Sequence, residues 1–278
     1  MPIEELKDRE ELRIFLTRDR VGNAYLLGDL DPVYLPYCTW YGNRVDGQLQ
    51  AVLLLYSGLR MPVILTASSS ATPASRPQEH KERSARYLLE LLEHVRLQLP
   101  SPLWVHAWEN HHPVLNDSFS KLSLKRMQRM GLERDAYIRP DDEEGQRSVR
   151  RLDHTDTAAI VELYRHFPDN FFEPYQLETG LYFGIDAEGG RGLAGIAGIH
   201  VHSKTYDIAA IGNLVVHPEH RRRGYATAVT TRLLDELFQT VSLVTLNVRE
   251  GNVAAIGTYK KFGFVRHRVY FEGRVEIR

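Results

Sequence analysis

The sequence has a single cysteine, Cys38, among its 278 residues. One cysteine excludes an intrachain disulfide and a zinc site built on cysteine ligands, which is typical of proteins from a reducing compartment. The first residues are charged and lack the apolar segment of a secretory signal, so the sequence predicts a cytoplasmic location. The pair His111-His112 lacks a further ligand at helical spacing, and we predict no metal site.

Excess charge of one sign and long apolar runs are also missing. The formal net charge is -1, whereas proteins that bind nucleic acids or anionic membranes usually carry a basic excess. No uncharged apolar run approaches the ~18 residues of a membrane span. With 43% hydrophobic and 26% charged residues, the sequence predicts a globular protein with neither nucleic acid nor membrane as a partner.

One stretch without apolar residues divides the chain. Residues 139–147 read RPDDEEGQR, with four consecutive acids, one proline and one glycine. This composition is typical of a linker. We therefore predict a first domain of residues 1–140 and a second domain of residues 148–278.

Both predicted domains mix helices and strands. In the first, Asp8 is a candidate cap for a helix, strands are predicted at 38–41, 49–56, 63–67 and 103–108, and a helix is predicted at 83–97. The polar residues 68–81 predict a loop. In the second, Asp153 is a candidate cap, with strands at 181–186, 193–202, 208–216, 241–248 and 264–270. Helices are predicted at 224–239 and 252–262.

The most informative segment is LVVHPEHRRRGYAT, residues 214–227. An apolar strand ends at Pro218, a basic loop follows, and Gly224 opens a helix. Free N–H groups at a helix start suit a phosphate or pyrophosphate, and small residues allow close approach. The sequence has no Gly-x-Gly-x-x-Gly and no Walker-type Gly-Lys-Ser/Thr, so a dinucleotide or nucleoside triphosphate is not expected. A solvated basic turn is the alternative.

Two patterns resemble the GNAT superfamily of acyl-CoA N-acyltransferases. They are Arg221-x-x-Gly224-x-Ala226 and Asn252-x-x-Ala255-x-x-x-Tyr259-x-x-x-Gly263-Phe264. The first pattern and its flanks look especially like the FR47-like and glycine N-acyltransferase branch, and the resemblance covers about residues 149–275. It implies an α/β (α+β) fold with a mixed, mostly antiparallel central sheet flanked by helices. The similar order of elements in the two halves adds a tandem arrangement to this expectation.

The resemblance also implies a set of residues that bind acetyl-CoA as co-substrate, without a metal. By position these are Leu214, Val215, Val216, Arg221, Arg222, Arg223, Gly224, Tyr225, Ala226, Thr227, Asn252 and Tyr259. Tyr259 would be the catalytic proton donor to the departing thiolate. Structural alternatives stand beside these roles: a buried strand for 214–216, a helix cap for Asn252 and core packing for Tyr259.

The general base stays open. Some family members use a glutamate on the strand before the loop, but residues 208–216 contain no acid. Asn213 could order a water, and His200, His202 and Glu173 are further candidates, each with a structural alternative. We expect direct attack of the amine in a ternary complex, because holding the reactants in place supplies much of the rate.

Three classes of function fit this reading. The first is an N-acetyltransferase acting on a primary amine of a small molecule or amino acid, the second a protein N-acetyltransferase, and the third a non-catalytic acyl-CoA sensor. A homodimer is a common arrangement in the family. Residues 1–147 contain no Arg-x-x-Gly-x-Gly/Ala, so the first domain is predicted to be a degenerate GNAT-like copy that does not bind CoA. Met130-Gly131-Leu132 faintly repeats Phe262-Gly263-Phe264.

Overall fold

The computed structural model describes residues 3–69, 77–141, 148–168, 170, 172–190 and 192–278. The chain forms two compact units: unit 1 contains Met1–Arg129 and His267–Arg278, and unit 2 contains Met130–Arg266. That residues 1–140 and 148–278 are two separately folding domains stays a prediction. Residues 142–147 of the predicted linker lie outside the described residues.

The described residues of unit 1 form a sheet and four helices. Its strands, in chain order, are β1 (Ile3–Glu5), β2 (Cys38–Val45), β3 (Gln48–Tyr56), β4 (Val63–Ser68), β5 (Leu103–Trp108), the first part of β6 (Phe119–Glu133) and most of β12 (Val265–Ile277). Its helices are α1 (Arg9–Leu16), α2 (Ala24–Gly28), α3 (Pro77–Val95) and α4 (His112–Ser118). The strand order is β1-β2-β3-β4-β5-β12-β6. Strands β4 and β5 are parallel, whereas β1–β2, β2–β3, β3–β4 and β5–β12 are antiparallel.

Local signals account for several elements of unit 1. Asp8 caps α1 by accepting hydrogen bonds from the N–H groups of Glu10 and Glu11. Asp46 and Gly47, both with positive φ, form the turn between β2 and β3. The predicted polar loop is shorter than expected because α3 already begins at Pro77, where the fixed φ of proline suits a helix start. Residues 70–76 of that loop lie outside the described residues.

In the described ranges, unit 2 combines five further strands with three helices. The strands are β7 (Arg150–Arg151), β8 (Phe183–Asp186), β9 (Leu193–Ser203), β10 (Ile208–Val216) and β11 (Leu243–Arg249), with the end of β6. The helices are α5 (Thr157–Tyr164), α6 (Tyr225–Leu237) and α7 (Val253–Lys261). The strand order is β6-β11-β10-β9-β8-β7. Pairing is parallel between β10 and β11 and antiparallel for β7–β8, β8–β9 and β9–β10.

Most buried apolar residues of unit 2 belong to one core cluster. Helix α6 buries Val229, Leu233 and Leu237 against this core, as its helical spacing predicts. Gly263 ends α7 with φ 97°, and a Cβ there would collide with the carbonyl oxygen of Ala136. These observations confirm the predicted mixed, mostly antiparallel sheet flanked by helices. Within the described ranges, no helix is long and apolar enough to cross a membrane.

Candidate functional site

Two neighbouring strands of unit 2 separate at their carboxyl ends. Parallel pairing joins β10 to β11 from Ile208 opposite Leu243 as far as Ile211 opposite Leu246. Both strands continue beyond that pair, but Val215 and Val216 pair only with β9. We call the space between the ends of β10 and β11, beyond Ile211 and Leu246, the crevice. Main-chain groups there are not joined by the parallel ladder.

A bulge in β10 accompanies this separation. Asn213 is buried and has φ 54°, and the β9 register shifts between Gly212 and Val215. The side-chain Nδ2 of Asn213 donates to Tyr182 Oη over 2.7 Å and to Gln176 Oε1 over 3.4 Å. The sequence analysis names Asn213 as a residue that could order a water, but it does not predict a bulge there. The signal was present in the sequence, because Gly-Asn interrupts an otherwise apolar strand.

The basic loop after β10 leads into the start of α6. Arg222 and Gly224 both have positive φ, at 64° and 80°, and Gly224 is the residue that precedes the helix. No side chain caps this helix start, and no described residue accepts the N–H groups of residues 225–227. Successive N–H groups at a helix start attract an anion, so this end of α6 fits a phosphate or pyrophosphate group.

The three arginines of the loop are exposed. Arg223 Nη1 lies 3.2 Å from Glu188 Oε1, and the guanidinium of Arg221 lies 5.9 Å from the ring centre of Phe167. Ion pairs between exposed side chains stabilise a fold little, so the Arg223 pair can exchange for an anionic ligand at small cost. Arg222 forms no ion pair with a described residue. The loop is therefore positively charged and open to solvent.

The two predicted site residues of α7 differ in exposure. Asn252 is exposed and caps the helix by accepting the N–H of Ala255 over 3.2 Å, as its structural alternative predicted. Tyr259 is buried in the same core as Val215, with its ring 5.8 Å from that of Phe264. Its hydroxyl forms no hydrogen bond with a described residue, and burial raises the pKa of Tyr259 above its usual value.

Of the side-chain base candidates, His200 lies at the crevice. Its imidazole occupies the space that a Cβ on Gly212 would need, and Gly212 is the first residue beyond the parallel ladder. Burial lowers the pKa of His200 to about 4, so the ring is neutral at pH 7. His202 lies nearer the other end of β9 and bonds Thr240 over 2.9 Å, while Glu173 caps a 3-10 turn.

No group of three or more histidine, cysteine, aspartate or glutamate side chains in the described ranges is arranged to hold a metal ion.

Comparison with known proteins gives the same family as the two sequence patterns, while the FR47-like and glycine N-acyltransferase branch stays a prediction. The sequence model of the acetyltransferase (GNAT) family matches residues 147–264. No curated protein matches the chain.

Solved structures resemble the chain over nearly its whole length. A Drosophila protein is 14% identical, with 99% of this chain and 98% of that chain covered and a TM-score of 0.66. A tandem GNAT protein from the clavulanic acid biosynthesis pathway is 16% identical, with 98% of each chain covered and a TM-score of 0.56. A GCN5-related N-acetyltransferase from Sphaerobacter thermophilus is 16% identical, with 100% and 96% covered and a TM-score of 0.57.

These identities are low, so the solved structures show the fold, and they confirm the predicted GNAT-like fold, one of them in a tandem protein. The matched family segment contains the crevice, the basic loop and α7. Over residues 147–264 the chain is thus similar to the acetyltransferase (GNAT) family.

Proposed function

We propose that unit 2 transfers an acetyl group from acetyl-CoA to a primary amine of a small molecule or amino acid. The observation that carries this proposal is the crevice beyond Ile211, which is followed in the chain by the unbonded helix start at residues 225–227. A crevice with free main-chain groups suits the pantetheine arm, and a helix start suits the pyrophosphate. Both parts of the donor therefore have a complementary place.

Each part of the donor has its own residues in this proposal. Leu214, Val215 and Val216 lie along the pantetheine arm. The main chain of Val216 bonds this arm, because its N–H and C=O groups alternate away from β9. Residues 221–227 bind the pyrophosphate through the loop arginines and the N–H groups of the helix start. Asn252, exposed at the start of α7, touches the cofactor while it caps the helix.

The chemistry needs a proton donor, a proton acceptor and a place for the oxyanion. Main-chain N–H groups near Val215 stabilise the tetrahedral oxyanion. Tyr259 donates a hydrogen bond to the departing thiolate. Its raised pKa favours hydrogen bonding over complete proton transfer. His200 is neutral at pH 7 and adjacent to the crevice, so it can accept a hydrogen bond from the attacking amine or from a water. Its lowered pKa makes it a weak proton acceptor, and we therefore assign much of the rate to the positioning of the amine and the thioester.

Direct attack in a ternary complex is favoured over a cysteine intermediate. Cys38 belongs to unit 1, and its thiol donates to the carbonyl oxygens of Asp29 and Tyr34. Burial, with a smaller contribution from Asp29, raises the pKa of the Cys38 thiol above its usual value. Because the thiolate is the nucleophilic form, this residue is not poised to accept an acyl group.

Calorimetric titration of acetyl-CoA into the whole chain tests the donor site. Gly224→Glu places a negative side chain at the helix start and forces it into a left-handed conformation, which costs about 1–2 kcal/mol. Gly47→Glu is the matched control, since Gly47 also has positive φ and open space around it, in the turn after β2. We expect wild type and Gly47→Glu to bind and Gly224→Glu to lose binding.

Absence of binding to wild type would contradict the proposal, as would equal binding to Gly224→Glu. Thiol release from acetyl-CoA in the presence of a panel of small amines and amino acids then identifies the activity. Release only with peptide or protein amines would favour a protein N-acetyltransferase. Binding without release in any of these assays would indicate an acyl-CoA sensor.

A further inference from the structure

Two side-chain amides, those of Asn213 and Gln176, lie side by side at the bulge of β10. Asn213 is 6% exposed and Gln176 is 5% exposed. The Nδ2 atom of Asn213 lies 3.4 Å from the Oε1 atom of Gln176. Gln176 belongs to the 3-10 turn Pro174–Thr179, which comes between α5 and β8 in the chain. We call these two side chains the amide pair, and they join the bulge to this turn.

Hydrogen bonds fix the orientation of both amides. The main-chain N–H of Glu173 can only donate, and it donates to Gln176 Oε1 over 3.1 Å. The hydroxyl of Tyr182 donates its one proton to the carbonyl oxygen of Ile199, so Asn213 must present Nδ2 to this hydroxyl, over 2.7 Å. The two remaining polar atoms are therefore Gln176 Nε2, a donor, and Asn213 Oδ1, an acceptor.

These two remaining atoms have no partner within the protein. In the part of the chain that the structure describes, neither of them forms a hydrogen bond. Neither is one of the side-chain atoms there that are both unbonded and shut off from solvent, whereas the hydroxyl of Tyr164 is. Buried side chains normally use their hydrogen-bonding atoms, so a donor beside an acceptor on two such side chains suits a small polar ligand.

The amide pair lies toward the reacting end of the proposed donor site. In the chain, Asn213 precedes residues 214–216 along the pantetheine arm, and these precede residues 221–227 at the pyrophosphate. An arm that begins at the helix start and follows β10 therefore brings its thioester toward Asn213. Gly212, the first residue beyond the parallel ladder, is adjacent in the chain, and the imidazole of His200 lies against it.

A primary amine that attacks in this place must direct its lone pair at the thioester. A neutral primary amine has two N–H groups, and Asn213 Oδ1 and the imidazole of His200 are two acceptors for them. Bonding of both N–H groups would hold the nitrogen with its lone pair available for attack. The donor Gln176 Nε2 is then left for a different atom of the same acceptor molecule.

We propose that Gln176 selects acceptors in which an oxygen atom is bonded to the second carbon from the amine nitrogen, as in amino alcohols and amino amides. This inference rests on the proposed acetyl transfer. Asn213 Oδ1 accepts an N–H of the amine, and Gln176 Nε2 donates to the oxygen. Because the two side chains are only 3.4 Å apart, the two groups of the ligand must be only a few atoms apart. A neutral oxygen fits better than a carboxylate, because neither amide has a positive charge to offset the desolvation of an anion.

Matched amines test this preference. Thiol release from acetyl-CoA is measured for the whole chain with ethanolamine and propylamine, which differ by a hydroxyl in place of a methyl group, and with glycinamide and glycine. Rates are compared at equal concentrations of unprotonated amine. We expect kcat/KM to be at least about tenfold higher for ethanolamine than for propylamine, because a site built to bond an oxygen rejects an analogue without it. Glycinamide should exceed glycine by at least about tenfold, because the site leaves a carboxylate without a cation.

Glutamine variants locate the preference. Gln176→Met keeps an unbranched side chain and removes the donor, so the ratio of ethanolamine to propylamine should fall to about one. Gln239→Met is the matched control and should keep the wild-type ratio, because the exposed Gln239 side chain donates to the carbonyl oxygen of Asp235 at the end of α6. If Gln176→Met fails to fold, Gln176→Glu decides, since its carboxylate can accept the N–H of Glu173 but cannot donate. Calorimetric affinity for acetyl-CoA separates a changed acceptor site from a damaged donor site.

The possible results separate this inference from the proposed function. Equal kcat/KM for ethanolamine and propylamine in wild type would overturn the inference and leave acetyl transfer intact, as would a Gln176→Met variant that keeps the preference. Faster reaction of glycine than of glycinamide would overturn the preference for a neutral oxygen. If the chain binds acetyl-CoA but no amine releases thiol, the proposed transfer itself fails, and this inference fails with it.

Discussion

Two buried tyrosines of unit 2 differ in their hydrogen bonds, because only one of them is bonded to Asn213 in the β10 bulge. We therefore expect the same substitution, tyrosine to phenylalanine, to change stability differently at the two positions. Tyr182 is fully buried, and its hydroxyl accepts from Asn213 and donates to the carbonyl oxygen of Ile199 over 3.0 Å. Tyr164 is also buried, but its hydroxyl has no hydrogen-bond partner among the described residues. Replacing each tyrosine by phenylalanine removes one oxygen atom and leaves the ring.

The magnitudes follow from the hydrogen bonds that each change removes. Tyr182→Phe removes two buried hydrogen bonds, each contributing about 1 kcal/mol, and leaves the side-chain amide of Asn213 without its shortest hydrogen bond. The free energy of unfolding should therefore fall by about 2–3 kcal/mol. Tyr164→Phe removes a hydroxyl whose desolvation is not offset, so its stability should be unchanged or higher by up to about 1 kcal/mol.

Urea unfolding followed by circular dichroism measures the stability difference, and acetyl-CoA titration measures its effect on the crevice. Without its hydrogen bond to Tyr182, Asn213 is held less firmly in the left-handed conformation. If the left-handed conformation of Asn213 becomes less favourable by about 1.4 kcal/mol, acetyl-CoA should bind about tenfold more weakly. Equal stability of the two variants would refute the argument from hydrogen bonding. Lower stability of Tyr182→Phe with unchanged donor affinity would refute the link to the crevice.

Two further predictions concern other groups. Tyr259→Phe should lower kcat by about 10²-fold and leave the dissociation constant of acetyl-CoA unchanged, and a parallel loss of affinity would contradict the proton-donor role. Burial raises the pKa of Asp29 to about 8, against ~3.9 in an unfolded chain. The protonated carboxyl therefore stabilises the folded state fully below pH ~4, and this contribution is lost as the pH rises toward 8. In urea unfolding, the stability of Asp29→Asn should rise by about 4 kcal/mol relative to wild type between pH 5 and pH 8.

The parts of the site that depend on local chain signals were predictable. Pro218 stops a strand, the arginines form a loop, and Gly224 permits the positive φ that precedes α6. Each signal lies within a few residues of the feature that it specifies. The predicted helix of residues 224–239 accordingly corresponds to α6, Tyr225–Leu237.

The parts that depend on pairing between distant segments were not predictable. The partner of Asn213 is Tyr182, and the two meet only when the register of β9 and β10 is fixed. Likewise the sequence predicts a strand at residues 264–270, but its alternation does not specify which sheet it joins. In unit 1, Arg129 and Arg268 line the same small pocket although they are far apart in sequence.

The assignment of residues 267–278 to unit 1 has a consequence for the order of folding during synthesis. Strand β12 pairs with β5, with Val275 opposite Leu103, and Val275 is fully buried in the core of unit 1. The ribosome completes all of unit 2 before it makes this strand. Unit 1 must therefore wait with an unpaired β5 edge, although most of its residues emerge first, and loss of residues 267–278 would damage the unit that begins the chain.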